Sequence, residues 1–205
     1  MNAAGPSLRP TRSALNFPLM KTPPTARIDT ELLVVGFGHP QRQDDGAGPR
    51  VAERIAALHL PGVRTLIGEQ LAPEHAAPLA HARVAVFVHA VVGAPRHVRL
   101  NPIRPGAAPP GPAQAADPPA MLAAARDLHG HAPQAWRAPI PAVRTGVGPE
   151  LSVTARRGID AATQTVRRFA QLAGGGRDST LRSRPGIALS AAAHAAHRLS
   201  PARLV

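Results

Sequence analysis

The sequence has no cysteine, no tyrosine, one tryptophan and one lysine among 205 residues. Without cysteine there is no disulfide, no zinc–thiolate site, no cysteine-held iron–sulfur cluster and no thiol nucleophile. Aromatics make up only 2% of the chain against 44% apolar residues, so a core must be packed from Val, Leu, Ile and Ala. No apolar run approaches the ~20 residues of a membrane span. The N-terminal stretch has scattered positive charge but lacks the continuous apolar segment of a secretory signal. A cytoplasmic protein without membrane contact is expected.

The formal net charge of +12 suggests a nucleic-acid partner at first sight. Its distribution argues against one. Residues 30–172 hold 15 basic against 10 acidic residues, and the two flanks are the more one-sided parts. Only Lys21 among the 24 basic residues is a lysine, in keeping with the general richness in Ala, Pro and Arg. No basic–aromatic interleaving supports single-strand binding, and no nucleic-acid role is expected.

Pro and Gly together number 42 of the 205 residues and concentrate in a few stretches. Residues 1–29 are Pro-rich and aperiodic, which predicts a disordered leader. Residues 173–205 follow as a low-complexity tail. Between them, 30–172 alternates apolar strands with amphipathic helices. Strands are predicted at 32–35, 63–67, 84–88 and 135–140, with an edge strand at 97–103 because Pro102 is best tolerated at an edge. The run VAVFV at 84–88 has the unbroken apolarity of a buried parallel strand, ending at His89. Helices are predicted from Pro49 to Leu58 with Val51, Ile55 and Leu58 on one face, from Pro73 to Ala82, from Pro119 to Leu128 capped by Asp117, and from Ser152 to Leu172. This alternation predicts an α/β fold, a three-layer α/β/α sandwich on a mainly parallel sheet with strands 32–35 and 84–88 as central neighbours.

The densest chemistry lies in residues 32–58, LLVVGFGHPQRQDDGAGPRVAERIAAL. A β-branched strand meets the turn Gly36-Phe37-Gly38. The acidic pair Asp44-Asp45 follows, and Gly46 and Gly48 open a helix. Acids there can cap exposed N–H groups. They also sit at the carboxyl end of a strand, where ligands of open α/β sheets bind. A dinucleotide fingerprint is disfavoured, because its third glycine would fall on Gln41 and the acidic pair would repel phosphate. No Gly-x-Ser-x-Gly nucleophile elbow occurs. A histidine at a strand end, as His89 is, serves either as a satisfied core residue or as a ligand.

This segment resembles the N-terminal motif of the hydrogenase maturation peptidases, the endopeptidases that trim the C-terminus of the nickel-iron hydrogenase large subunit. Their pattern runs strand, Gly-x-Gly-Asn, spacer, Asp-Asp/Glu-Gly-x-Gly, helix, and every element is present except the Asn, replaced by His39. The later segments VAVFV, DPPAMLAAARDLHG, AWRAPIP and GVGPELS fall in the family's order over roughly 31–172. The resemblance implies an α/β/α sandwich and a metal-dependent endopeptidase. Asp45 would then be a nickel ligand and Asp44 a supporting or capping acid. His89 stands where the family has an aspartate ligand, and imidazole suits nickel well. By spacing to Asp117-Pro118, the family's third ligand, a histidine, falls on Gln114 or a close neighbour, and glutamine is a poor nickel ligand. His39, in the right loop, is a further metal-site residue to consider. The nickel implied is carried by the substrate, the large-subunit precursor, and is bound weakly or not at all by the isolated protein. Two other readings stand beside this one: a non-catalytic relative that docks on a hydrogenase subunit, and an unrelated α/β binding domain with two capping aspartates.

Overall fold

The computed structural model describes residues 30–106 and 117–175. The expected leader, Gln114 and positions 176–205 of the expected 173–205 tail lie outside the described residues, while 173–175 continue the last helix, with Ala173 buried in the core. In chain order the elements are β1 (Thr30–Phe37), a 3-10 turn (Gln43–Gly46), α1 (Ala47–Ala56), β2 (Val63–Gly68), a second 3-10 turn (Pro73–His75), α2 (Ala76–Ala80), β3 (Ala82–Val92), β4 (Asn101–Ile103), α3 (Pro118–His129), β5 (Gln134–Ala142) and α4 (Val153–Gly175). The sheet has five strands in the order β2-β1-β3-β5-β4. All pairings are parallel except that of β4 with β5. The α/β class and the parallel pairing of β1 with β3 stand as expected.

Side chains alternate across a strand, so consecutive residues of β1 enter two different cores. Leu32 and Val34 join Val84, Val86, Trp136 and Ile140 under α1 and α4. Leu33 and Val35 join Ala85, Phe87 and Ala135 under α2 and α3. Helices thus cover both faces, which is why β1 and β3 read as continuous apolar runs. Trp136 and Phe169 meet at 5.1 Å between ring centroids and tie β5 to α4.

The structure corrects several element boundaries. β3 does not stop at His89 but continues to Val92, because β5 pairs with it through Val92↔Ala142. The helix expected over 73–82 is a 3-10 turn and a five-residue helix, and Ala82 already begins β3. Pro78 removes an N–H within that short helix, which limits its growth. The edge strand is only Asn101–Ile103, with Pro102 on the edge. α1 begins at Ala47 and ends at Ala56, so Leu58 lies beyond it and is 40% exposed, while Val51 and Ile55 are buried. Asp117 caps α3 as expected, its carboxylate accepting from Ala120 N at 2.9 Å.

Candidate functional site

The turn between β1 and α1 is pressed onto the carboxyl ends of β1 and β3. A Cβ on Gly48 would lie 2.4 Å from the carbonyl oxygen of Phe37, 2.5 Å from that of Val88 and 3.1 Å from the Cα of His89. Only glycine lets the helix start that close to both strands. Gly36 faces Gly48 across the same gap, and Gly46 lies against Pro40. Gly38 has φ +138°, and a Cβ there would meet the Asp45 carbonyl oxygen at 2.0 Å. The spacing Gly-x-Gly…Asp-Asp-Gly-x-Gly is therefore a packing requirement that carries the acidic pair to the strand tips.

The two acids of the pair have separate tasks. Asp44 is fully buried. Its Oδ2 accepts from Val143 N (2.8 Å), Arg144 N (2.9 Å) and Ser152 Oγ (2.8 Å), and its Oδ1 accepts from Ser152 N at 2.7 Å. Burial pushes its pKa up, but the hydrogen bonds from Val143, Ser152 and Arg144 outweigh it and hold the carboxyl below its ordinary value. Ser152 Oγ in turn accepts from Ala155 N at 3.0 Å, capping α4. Neither the 3-10 turn nor α1 receives a side-chain cap. Asp44 thus does not cap its own helix; it supports the start of α4, over a hundred residues away.

The loop carrying Asp44 is laced to the β5–α4 connection. Gln43 N donates to Gly148 O at 2.7 Å, and Gln43 Oε1 accepts from Gly146 N. Gln43 sits at φ 49°, a left-handed conformation uncommon for a residue with a side chain, and this lacing holds it there.

Asp45 is partly exposed, and its Oδ2 accepts from His39 N at 2.9 Å. His89 follows Val88, the partner of Gly36, so it faces Phe37 across the β1–β3 pair. The two rings stack at 4.7 Å between centroids and 15° between planes. Burial, aided by the charge of Arg137 and opposed by that of Asp45, lowers the His89 pKa from 6.5 to about 4. His89 Nδ1 is buried and has no hydrogen-bond partner. A neutral imidazole with an uncommitted nitrogen, within electrostatic reach of a carboxylate, is the form in which histidine binds a metal.

His39 touches Asp45 through its backbone N–H, but its side chain is engaged elsewhere. Its Nε2 is 3.7 Å from Glu69 Oε2, and its Nδ1 accepts from Gln41 N at 3.2 Å. His131, with Nε2 3.2 Å from Ala82 O, sits at the opposite end of the sheet. Among the described residues no three His, Asp or Glu side chains come together as a metal-binding group. The segment 107–116 contains no such residue either; Gln114 is its one polar side chain. A carboxylate and an imidazole are donor types that divalent metals take, but no third such side chain joins Asp45 and His89 among the described residues.

Sequence reasoning missed Arg144, Arg137 and Glu69. Ser152 was visible as a helix start, but nothing local links it to Asp44. Phe37 was visible only as the middle of a glycine turn.

No protein-family model and no curated protein matches this sequence. Solved structures do match it. The hydrogenase maturating endopeptidase HybD from E. coli superposes with a TM-score of 0.54 at 20% identity, over 72% of this chain and 94% of that one. The [NiFe] hydrogenase maturation protease HycI from Thermococcus kodakarensis gives 0.53 at 19% identity, over 69% and 91%. A hydrogenase 2 maturation peptidase from a Thaumarchaeota archaeon gives 0.50 at 18%, over 67% and 95%. The class this defines is a three-layer α/β protein with a mainly parallel sheet. Within that class, the chain has the fold of the hydrogenase maturation proteases.

Proposed function

We propose that this chain is a divergent hydrogenase maturation peptidase acting in the cytoplasm. It removes the C-terminal extension of a nickel-iron hydrogenase large-subunit precursor after nickel insertion. The observation that carries this reading is the buried His89 Nδ1, without a hydrogen-bond partner at the end of the central strand and within reach of the Asp45 charge. These two residues hold substrate-borne nickel from the enzyme side, and a metal so placed polarises a carbonyl as a Lewis acid. Phe37 stacks on the His89 ring, and burial, aided by Arg137 against the pull of Asp45, disfavours the protonated imidazole. Two ligands bind nickel weakly alone; soft thiolates of the substrate complete the set.

The test is a mass measurement of the precursor C-terminus after incubation with the protein. The wild-type chain shortens the nickel-loaded precursor. Asp45→Ala or His89→Ala abolishes the shortening, and Gln114→His increases it where Gln114 is the counterpart of the family's histidine. Normal processing by the Asp45→Ala/His89→Ala double variant would remove these residues from the reaction. A second reading, a relative that binds the subunit without cutting it, is favoured by the incomplete ligand set. It is distinguished by subunit binding with no mass change.

A further inference from the structure

The connection that Asp44 fastens forms one wall of an open cavity of about 510 Å³, separate from Asp45 and His89. Three arginines line it, Arg50 from the first turn of α1, Arg144 from the connection and Arg156 from the first turn of α4, with Glu150 the lone acid. Two of the arginines are anchored by backbone carbonyls: Arg50 Nη2 donates to Pro149 O at 3.2 Å, and Arg156 Nη1 to Leu151 O at 2.6 Å. The Arg144 backbone is fixed through both its groups, its N–H donating to Asp44 Oδ2 and its carbonyl accepting from Asp44 N. None of the three forms an ion pair with a carboxylate among the described residues. A guanidinium offers five donors, so each anchored arginine keeps most of its own free.

The same edge of the molecule is also apolar. Of the eight large hydrophobic residues most exposed among the described ones, five lie at the carboxyl edge of the sheet: Ile67, Val92, Val143, Val147 and Val153. Val147 is 93% exposed. Anchored, unpaired arginines beside exposed aliphatics match a protein surface with acidic and apolar side chains. They lack the stacking platform of a single-strand site, because no aromatic lines the cavity for a base to stack on.

We infer that the Arg50–Arg144–Arg156 cavity, with Val153 in its lining and the other exposed valines on the same edge, docks an acidic, partly apolar segment of the protein partner alongside the strand tips. The partner's identity rests on the peptidase reading; the docking chemistry does not. Asp44 thereby acquires a role at a distance, holding the wall on which the cavity stands.

The test uses the full chain and a fluorescein-labelled, C-terminally amidated peptide of glutamate and leucine, read by anisotropy near physiological salt. Arg144→Glu/Arg156→Glu is compared with Arg64→Glu/Arg167→Glu, which changes net charge equally but alters exposed positions on β2 and far along α4. The cavity variant weakens binding about tenfold or more, and the matched control changes it less than about twofold. Thermal melts check folding, and Arg144→Gln/Arg156→Gln, with a smaller loss in the same direction, serves if the charge reversal unfolds the chain. Equal losses in both charge-reversal variants overturn the inference, since diffuse positive charge then explains binding. Undetectable wild-type binding overturns it too, as does tighter, cavity-dependent binding of a single-stranded oligonucleotide. A cavity-specific loss upholds it whether or not the precursor is cut, so its failure and that of the peptidase reading are separately visible.

Discussion

Asp44 and Asp45 are adjacent and chemically identical, yet the fold assigns them opposite environments. Asp44 is turned inward onto four donors and has nothing left to offer a ligand. Asp45 spends one oxygen on His39 N, and the residue as a whole is partly exposed. Removing the Asp44 carboxylate takes the acceptor from three backbone N–H groups, that of Ser152 buried and those of Val143 and Arg144 part-buried, at about 1–3 kcal/mol for each group left unsatisfied. Asp44→Ala should therefore destabilise the chain by about 3 kcal/mol or more in urea unfolding. Asp44→Asn should not rescue it, because the amide nitrogen must face a donor on whichever side it is placed. Ser152→Ala should cost less, about 1–2 kcal/mol, since it removes one cap and one of the four bonds. An Asp44→Asn protein as stable as wild type would show that the carboxylate is not what holds the connection.

At the scale of elements, the sequence carried the strand and helix order because the apolar period is strong where both faces of a strand are covered. β1, β3 and α1 were legible for that reason, and so was the Asp117 cap, a contact three residues long. What could not be read depends on partners distant in sequence. β3 continues to Val92 only because β5 runs beside it, and Ser152 meets Asp44 across 108 residues. The acidic pair was legible as a site but its division of labour was not, since nothing in the dipeptide says which acid turns inward. The glycines of the same motif are the firmest link between sequence and element packing. Gly48→Ala should force the start of α1 off the tips of β1 and β3, because its Cβ has carbonyl oxygens at 2.4 and 2.5 Å. The expected result is a loss of about 1–3 kcal/mol, as for overpacked cores. Disturbed backbone resonances at Phe37 and Val88 in NMR spectra should accompany it. Unchanged resonances and stability would mean that the helix tolerates the shift.

For the whole molecule, the buried titratable groups set how the fold responds to acid, and their signs can be worked out separately. His89 has a folded pKa of about 4 against 6.5 in a solvated chain. Between those values the unfolded chain binds a proton that the folded chain refuses, so stability falls as pH drops through this window. The ceiling on that loss is on the order of 3 kcal/mol, from about 1.4 kcal/mol per pH unit. Asp44 acts lower down. Its folded pKa lies below 3.8, so its contribution is intact above that value and is lost as pH falls further. Thermal melts of the isolated chain from pH 7 to 3 should accordingly show two successive declines. His89→Gln should flatten the first, between pH 6.5 and 4, and leave the second in place. Asp44→Asn should lower stability throughout and flatten only the second. If His89→Gln left the slope between pH 6.5 and 4 unchanged, the histidine would not be held neutral by its burial. The site argued for it beside Asp45 would then lose its main physical support.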